Sequence, residues 1–231
     1  MRLAAVIATS VLVAACSQSV GGQADSSEPP DPTPPSTPSP ATSPSSSAPP
    51  NAQAAPAASA PIGDVIGWIE AGTPVDAGAF HVAFRDGVTT RLGDDIAFVA
   101  PSGTPYSTTQ CITGAGNGAL TCLLDLTSPP PAPAQAEGVW KPGWIEFSGT
   151  TLSVGALRGD PGPFVNGTGT ELTPGQSLTF ADNRCRSDAS GLYCVNYAHR
   201  SAVRIAADGV KPFGCLAEVP PPPESAALFS C

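Results

Sequence analysis

The residues best suited to acid–base or nucleophilic chemistry are few. The sequence contains two histidines, His81 and His199, and a Ser-His-Asp triad would have to use one of them. The segment TLSVG around Ser153 comes near the Gly-x-Ser-x-Gly pattern of a nucleophile elbow. Thr151, however, occupies the position where close strand–helix packing excludes a β-carbon. We therefore predict no catalytic residue, and a hydrolase built on His199 is the least favoured function.

Patterns for metal, cofactor and nucleic-acid binding are also missing from the sequence. It contains no Cys-x-x-Cys pair, no histidine at ligand spacing from a cysteine pair and no Asp-x-Asp-x-Asp-Gly calcium loop. We expect no metal and no cofactor. The net charge of −9 and the pI near 4.4 have the wrong sign for binding a phosphate backbone, so we expect no nucleic-acid partner.

Cys16 stands apart from the other six cysteines near the start of the chain. It follows Arg2 and a short apolar run, and residues 13–16 read Val-Ala-Ala-Cys, the pattern of a bacterial lipobox. We predict that residues 1–15 are a lipoprotein signal peptide and that the Cys16 sulfur carries a diacylglycerol anchor to the cell membrane, on its extracytoplasmic side. The alternative is an ordinary signal peptide with a coincidental cysteine.

Residues 16–61, here called the tether, differ sharply in composition from the rest of the chain. Residues 17–61 contain 12 of the 28 prolines and no lysine or arginine. Such a segment buries too little apolar surface to offset its ordering entropy, so we predict a disordered, polyproline-like spacer. Residues 62–231 are enough for one exported domain with its own core.

Six cysteines remain for disulfides, which an exported domain favours. They are Cys111, Cys122, Cys185, Cys194, Cys215 and Cys231. Fifteen pairings are formally possible. Cys111 and Cys122 flank a Gly-rich hairpin loop, and Cys185 and Cys194 flank the hairpin signal SDASG. We therefore predict these two pairs, which leaves Cys215 to tie Cys231 and the C-terminal tail.

Hydrophobic periodicity and turn signals indicate a mainly β domain with one short N-terminal helix. Apolar residues share one face over Pro61–Ala71, which predicts the helix. Extended runs follow at roughly ten-residue spacing, so we expect a disulfide-stapled sandwich or an open barrel. The predicted runs include Ala79–Phe84, Val88–Leu92, Asp95–Ala100, Trp144–Phe147, Leu152–Leu157, Ser177–Phe180, Leu192–Tyr197 and Ala202–Ala206.

Basic residues cluster in the C-terminal part of this acidic chain. If the local strands pair, they form one positive face for an anionic envelope polymer, a lipid headgroup or a protein. The alternative is a solvated surface with salt bridges to neighbouring aspartates. The possible binding residues are Arg184, Arg186, His199, Arg200 and Arg204, with Lys211 beside them.

Three tryptophans, Trp68, Trp140 and Trp144, are candidates for a sugar- or lipid-binding surface. Packing in the core is the alternative use for at least two of them, because an indole ring buries a large apolar area.

Longer stretches carry a family resemblance. The Val-Ala-Ala-Cys lipobox, the Pro/Ser-rich tether, PIGDVIGWIEAG, DPGPFVNG and CRSDASGLYCVNYAHRSAVRI make the chain resemble cell-envelope lipoproteins of mycobacteria and related actinobacteria. The last stretch is also similar to a hairpin of other exported actinobacterial domains, in which Cys-x-Asn is followed by His-Gly-Phe. His199-Arg200-Ser201 stands in that place here. The resemblance implies a location and an architecture, and no activity.

These observations together lead to one favoured expectation for function. We expect a lipid-anchored envelope lipoprotein whose domain is a non-catalytic binding module for an envelope lipid, glycan or protein. The alternative is a structural or protein-interaction domain without a small ligand, and the hydrolase using His199 comes last.

Replacing Cys16 by alanine tests the anchor. We expect the wild-type protein to enter the detergent phase in a Triton X-114 separation and Cys16→Ala to stay in the aqueous phase, because the variant lacks the sulfur that receives the lipid. Ser17→Ala keeps the lipobox and serves as the control. A Cys16→Ala protein that still enters the detergent phase would contradict lipidation at this residue.

Overall fold

The regular structure is one α-helix, two short 3-10 helices and sixteen strands within residues 54–114, 118–134 and 138–231, the parts that this computed structural model describes. The predicted signal peptide, the predicted lipidation site Cys16 and the predicted tether up to residue 53 lie outside these parts. The 3-10 helices are Ala77–Phe80 and Gly162–Asn166. The predicted extended run Ala79–Phe84 is therefore wrong at its start, because the Asp76 side chain caps a 3-10 turn there and the strand begins only at Val82. The elements are α1 (Ile62–Glu70), β1 (Thr73–Pro74), β2 (Val82–Arg85), β3 (Val88–Arg91), β4 (Ala97–Pro101), β5 (Thr108–Thr113), β6 (Leu120–Leu123), β7 (Trp140–Phe147), β8 (Thr151–Leu157), β9 (Thr170–Glu171), β10 (Gln176–Phe180), β11 (Asn183–Asp188), β12 (Gly191–Asn196), β13 (Ser201–Ala206), β14 (Gly209–Phe213), β15 (Ala217–Val219) and β16 (Ala227–Ser230).

The strands form two large open sheets and one separate hairpin. The six-stranded sheet has the order β1-β10-β11-β12-β13-β14, and the eight-stranded sheet has the order β15-β16-β8-β7-β6-β5-β4-β9. Strands β2 and β3 pair with each other as a hairpin. Neither large sheet closes into a barrel. The prediction of a mainly β fold with one short N-terminal helix is confirmed. Of the two predicted architectures, a sandwich or an open barrel, the open sheets agree with the sandwich.

The two large sheets bury one face each in a shared apolar core. Phe98 and Ile145 contribute from the eight-stranded sheet, and Leu178 and Val203 contribute from the six-stranded sheet; all four are fully buried. The rings of Phe98 and Phe180 meet across the sheets at a centroid distance of 6.4 Å. Because successive strand residues point to opposite faces, each sheet also has an outer face that must be covered or left to solvent.

Helix α1 covers the outer face of the six-stranded sheet. Its Val65, Trp68 and Ile69 are buried against sheet residues that include Tyr193, whose ring centroid lies 4.7 Å from that of Trp68. The chain turns tightly after the helix at Gly72, where a β-carbon would lie 2.9 Å from the Cβ of Ser177. The predicted helix bounds are therefore correct to within one residue at each end.

Residues before the helix also contact this cluster. Ala55 and Ala60 are partly buried and pack against the same apolar residues as the helix. The sequence predicted that the domain starts at residue 62. The structure shows that residues before 62 also contact the apolar cluster of the helix and the six-stranded sheet.

The three predicted disulfides are all present. Cys111 pairs with Cys122 and Cys185 with Cys194 between directly facing positions of neighbouring strands. These four residues are at most 2 % exposed. The third disulfide joins Cys215 to Cys231, and both of these residues are exposed.

The edges of the large sheets are poor templates for pairing with another strand. Pro212 and Lys211 lie in edge strand β14, and Pro74 lies in edge strand β1. Edge strand β9 has two residues, and edge strand β15 leads directly into Pro220. Proline, lysine and short length are the usual devices that prevent edge-to-edge association.

Limited reduction of the folded protein tests the difference in burial. We expect a mild phosphine reductant followed by iodoacetamide to label Cys215 and Cys231 first, because the other two disulfides lie in the core where a reductant has no access. Mass spectrometry of the digest locates the label, and a Cys215→Ser/Cys231→Ser variant serves as the control. Earlier labelling of Cys185 or Cys194 would contradict the prediction.

Candidate functional site

Three of the five predicted binding residues, Arg184, Arg186 and Arg204, share one sheet face with Lys211, but they do not form an open surface. Arg186, Tyr193, Arg204 and Lys211 are consecutive cross-strand neighbours on β11, β12, β13 and β14, and Arg184 lies two residues from Arg186 on β11. This is the face that α1 covers. The sequence pattern therefore placed these side chains on one face correctly, while the helix covers part of that face.

Arg186 is part of the interface between helix and sheet. It is 2 % exposed, its Nη1 donates to the carbonyl oxygen of Trp68 at 2.5 Å, and its Cζ lies 3.9 Å from the centroid of the Trp68 ring. Burial lowers the pKa of Arg186, and nearby Asp188 opposes this effect. The guanidinium therefore holds the helix on the sheet.

Arg184 and Arg204 also bind groups of their own chain. Arg184 Nη2 donates to Ser177 Oγ at 2.8 Å. Arg204 forms an ion pair with Asp208 at 2.8 Å and donates to the carbonyl oxygen of Ser190 at 2.7 Å. The Arg204–Asp208 pair agrees with the alternative interpretation, in which the basic residues form a solvated surface with salt bridges to neighbouring aspartates.

Tyr197 shows the electrostatics at the end of this face. Burial and then the neighbouring Glu70 carboxylate raise the pKa of Tyr197, and Arg184 acts in the opposite direction. The phenol is therefore held in its neutral form between an acid and a base, which suits a structural contact at the end of α1.

His199 and Arg200 lie in the exposed turn between β12 and β13. The backbone N–H of His199 donates to Asn196 Oδ1 at 3.1 Å, and no hydrogen bond joins the imidazole to any residue that the structure describes. His81 lies elsewhere, and its Nδ1 is 3.0 Å from the carbonyl oxygen of Asp95. Ser153 belongs to β8 in the other sheet. Among the residues described, no group of three His, Cys, Asp or Glu side chains could hold a metal ion.

The three tryptophans have different environments. Trp68 and Trp144 are each 2 % exposed, and the edge of Phe164 meets the Trp144 ring at a centroid distance of 5.4 Å. Trp140 is half-buried and lines a recess. Two tryptophans therefore serve packing, and Trp140 remains as a candidate for contact with a ligand.

Two adjoining recesses form a groove that runs from Tyr106 to Trp140, here called the Tyr106–Trp140 groove. The recess beside Tyr106 has a volume of about 240 Å³ and the recess beside Trp140 about 380 Å³. They share Leu123, Leu124 and Asp125, at and after the end of β6. The recess beside Trp140 alone is within the size range of small-ligand sites.

Tyr106 presents its ring to solvent at one end of the groove. Its side chain is fully exposed, and its backbone is left-handed with a φ of +64°. A non-glycine residue in this region is strained, and such strain concentrates at functional sites. The turn between β4 and β5 therefore holds an aromatic ring outward at an energetic cost that packing of this side chain does not offset.

Trp140 is held firmly at the other end. Its Nε1 donates to the carbonyl oxygen of Pro130 at 3.1 Å. Its ring lies over Gly155, where a β-carbon would come within 2.3 Å of the indole Cη2. The glycine and the proline-rich loop thus fix the orientation of the indole.

Polar groups surround the apolar floor of this groove. Gln110 and the exposed Asp125 lie toward Tyr106, and Lys141 lies toward Trp140. Lys141 Nζ donates to the carbonyl oxygen of Asp160 at 2.9 Å. One acid and one base balance in charge, so the groove suits a ligand without net charge.

Sequence reasoning missed Tyr106 and Asp125. The available signal was the segment Ser102-Gly103-Thr104-Pro105-Tyr106, which places an aromatic residue inside a turn between two strands, where it has no strand face to pack on.

No family model, curated protein sequence or solved structure is significantly similar to this chain. The helices that the structure describes include none of the length and apolar character required to cross a bilayer.

Replacing Arg186 by alanine tests its role in the helix–sheet interface. We expect a loss of about 2–4 kcal/mol in the free energy of unfolding, because the change leaves a cavity and removes the hydrogen bond from the guanidinium to the carbonyl oxygen of Trp68. Arg200→Ala, at an exposed residue of the same type, should change stability by less than about 0.5 kcal/mol. Urea denaturation measures both, and equal effects would contradict the interface role.

Proposed function

We propose that this chain is a lipid-anchored envelope protein whose sandwich domain binds a glycan in the Tyr106–Trp140 groove without transforming it. The observation that carries the proposal is Tyr106, a fully exposed aromatic residue in a strained backbone conformation at one end of a groove that ends at Trp140.

The chemistry of the groove fits a sugar. The face of an aromatic ring carries partial negative charge and attracts the polarised C–H bonds on the flat side of a pyranose. Asp125 accepts hydrogen bonds from hydroxyl groups, and Gln110 both accepts and donates them. Leu123, in the lining that the two recesses share, supplies an apolar contact for the sugar ring.

Other ligand classes fit this surface less well. The groove is open and carries charged groups, whereas an acyl chain needs an enclosed apolar cavity. For an anionic polymer, the candidate arginines Arg186 and Arg204 are engaged within the chain. A protein partner that adds a strand would meet edges blunted by proline and lysine.

Location and anchoring are part of the same proposal. Three disulfides suit an oxidising, extracytoplasmic compartment. A proline-rich tether suits a spacer that carries the domain away from the membrane. The resemblance to actinobacterial envelope lipoproteins agrees with both features, and the Cys16 lipid would be the contact with the membrane.

A glycan array tests the function. The probes are linear oligosaccharides of one to six glucose, mannose, galactose, arabinose or N-acetylglucosamine units, applied to the oxidised full chain. We expect binding to at least one series, with Tyr106→Ala weakening it about tenfold because the stacking contact is lost, and Tyr106→Phe retaining it.

Phe84→Ala is the matched control, because Phe84 is another exposed aromatic residue and lies outside the groove. We expect this variant to bind as the wild type does. Absence of binding to every series, or equal losses in Tyr106→Ala and Phe84→Ala, would contradict the proposal.

A further inference from the structure

We propose that a second recess, here called the polar groove, is a second glycan subsite, so that the eight-stranded sheet holds a linear glycan at two points. This inference rests on the proposed function, and it adds that the ligand is a glycan long enough to reach both grooves. The polar groove has a volume of about 510 Å³ and lies between strands β7, β8 and β16 and the proline-rich segment before β16.

Residues that line the two grooves occupy adjoining rows on the outer face of the eight-stranded sheet. Gln110, Leu123 and Trp144 are cross-strand neighbours on β5, β6 and β7. Two residues further along β7, Glu146 faces Ser153 on β8, which faces Leu228 on β16. Residues two apart on a strand share a face, so the two rows adjoin.

Glu146 is prepared to accept a hydrogen bond from a ligand. Its Oε1 accepts from Trp144 Nε1 at 2.8 Å and from Arg158 Nη2 at 2.5 Å. No residue within the described ranges donates to Oε2. The carboxylate is therefore fixed in position with one oxygen available, in a groove that it lines.

The remaining lining is rich in hydroxyl groups. Ser148, Thr151, Ser153 and Ser225 line the polar groove together with Glu224. Two carboxylates and one guanidinium, which is already paired with Glu146, leave one negative charge at Glu224, so the lining disfavours an anionic ligand. A neutral ligand with many hydroxyl groups satisfies such a lining, because each hydroxyl both donates to a carboxylate and accepts from a serine or threonine.

The 3-10 helix Gly162–Asn166 brings Phe164 against Trp144, which lies between the two grooves. The gap between the grooves is short. Lys141 of the Tyr106–Trp140 groove and Arg158 of the polar groove lie 5.3 and 5.1 Å from the same Trp144 ring centroid. From Gln110 to Leu228 the face crosses four strand spacings, or about 19 Å. A glycan of several units spans this distance, and the second contact then benefits from high effective concentration.

The experiment measures affinity against chain length. Isothermal titration uses the one- to six-unit members of the series that the array identifies, with the wild type, Glu224→Gln, Tyr106→Ala and the control Glu218→Gln, an exposed acid on β15. We expect affinity to rise at least about tenfold between two and six units. Glu224→Gln should remove this rise without affecting two-unit ligands, and Tyr106→Ala should weaken both lengths.

The outcomes separate the two proposals. Binding of two-unit ligands with no gain in affinity at six units, or a gain that Glu224→Gln leaves intact, would overturn the second subsite and leave the first groove standing. Failure of ligands of every length to bind would overturn both. A loss in Glu218→Gln equal to that in Glu224→Gln would also overturn the subsite, because it would indicate a general charge effect.

Discussion

The constraint on which the structure depends is that two open sheets bury one face each against the other. The apolar residues of that shared core, such as Phe98 and Leu178, account for half of each sheet's side chains because strand residues alternate. The other half point outward. Each sheet solves this problem differently, and the difference determines where a ligand can bind.

At each outer face a tryptophan ring contacts a cationic side chain where a covering segment meets the sheet. On the six-stranded sheet, helix α1 brings its own Trp68 onto Arg186, so helix and sheet are joined and the basic face is partly covered. On the eight-stranded sheet, Trp144 belongs to the sheet, with Lys141 and Arg158 beside its ring and Phe164 above it. This cover is small, and the grooves lie on either side of it.

The unequal covering gives the proposed binding face a consistent physical basis. Aromatic and polar side chains remain accessible where no helix lies, and rigid strands hold them in place. The disulfides Cys111–Cys122 and Cys185–Cys194 tie neighbouring strands within each sheet, and Cys215–Cys231 ties the end of the segment that forms one wall of the polar groove.

Local patterns in the sequence determined the helix, most strands and all three disulfides, because turn chemistry, alternation and loop spacing act over ten or so residues. Only the tertiary structure decided that helix α1 buries Arg186, and that the turn with Tyr106 lies along one groove with Trp140. Both depend on contacts between distant segments: Arg186 meets Trp68 across 118 positions, and the two ends of the Tyr106–Trp140 groove come from the turn between β4 and β5 and from β7. Periodicity assigns a residue to a face, but the packing of other elements decides whether that face meets solvent.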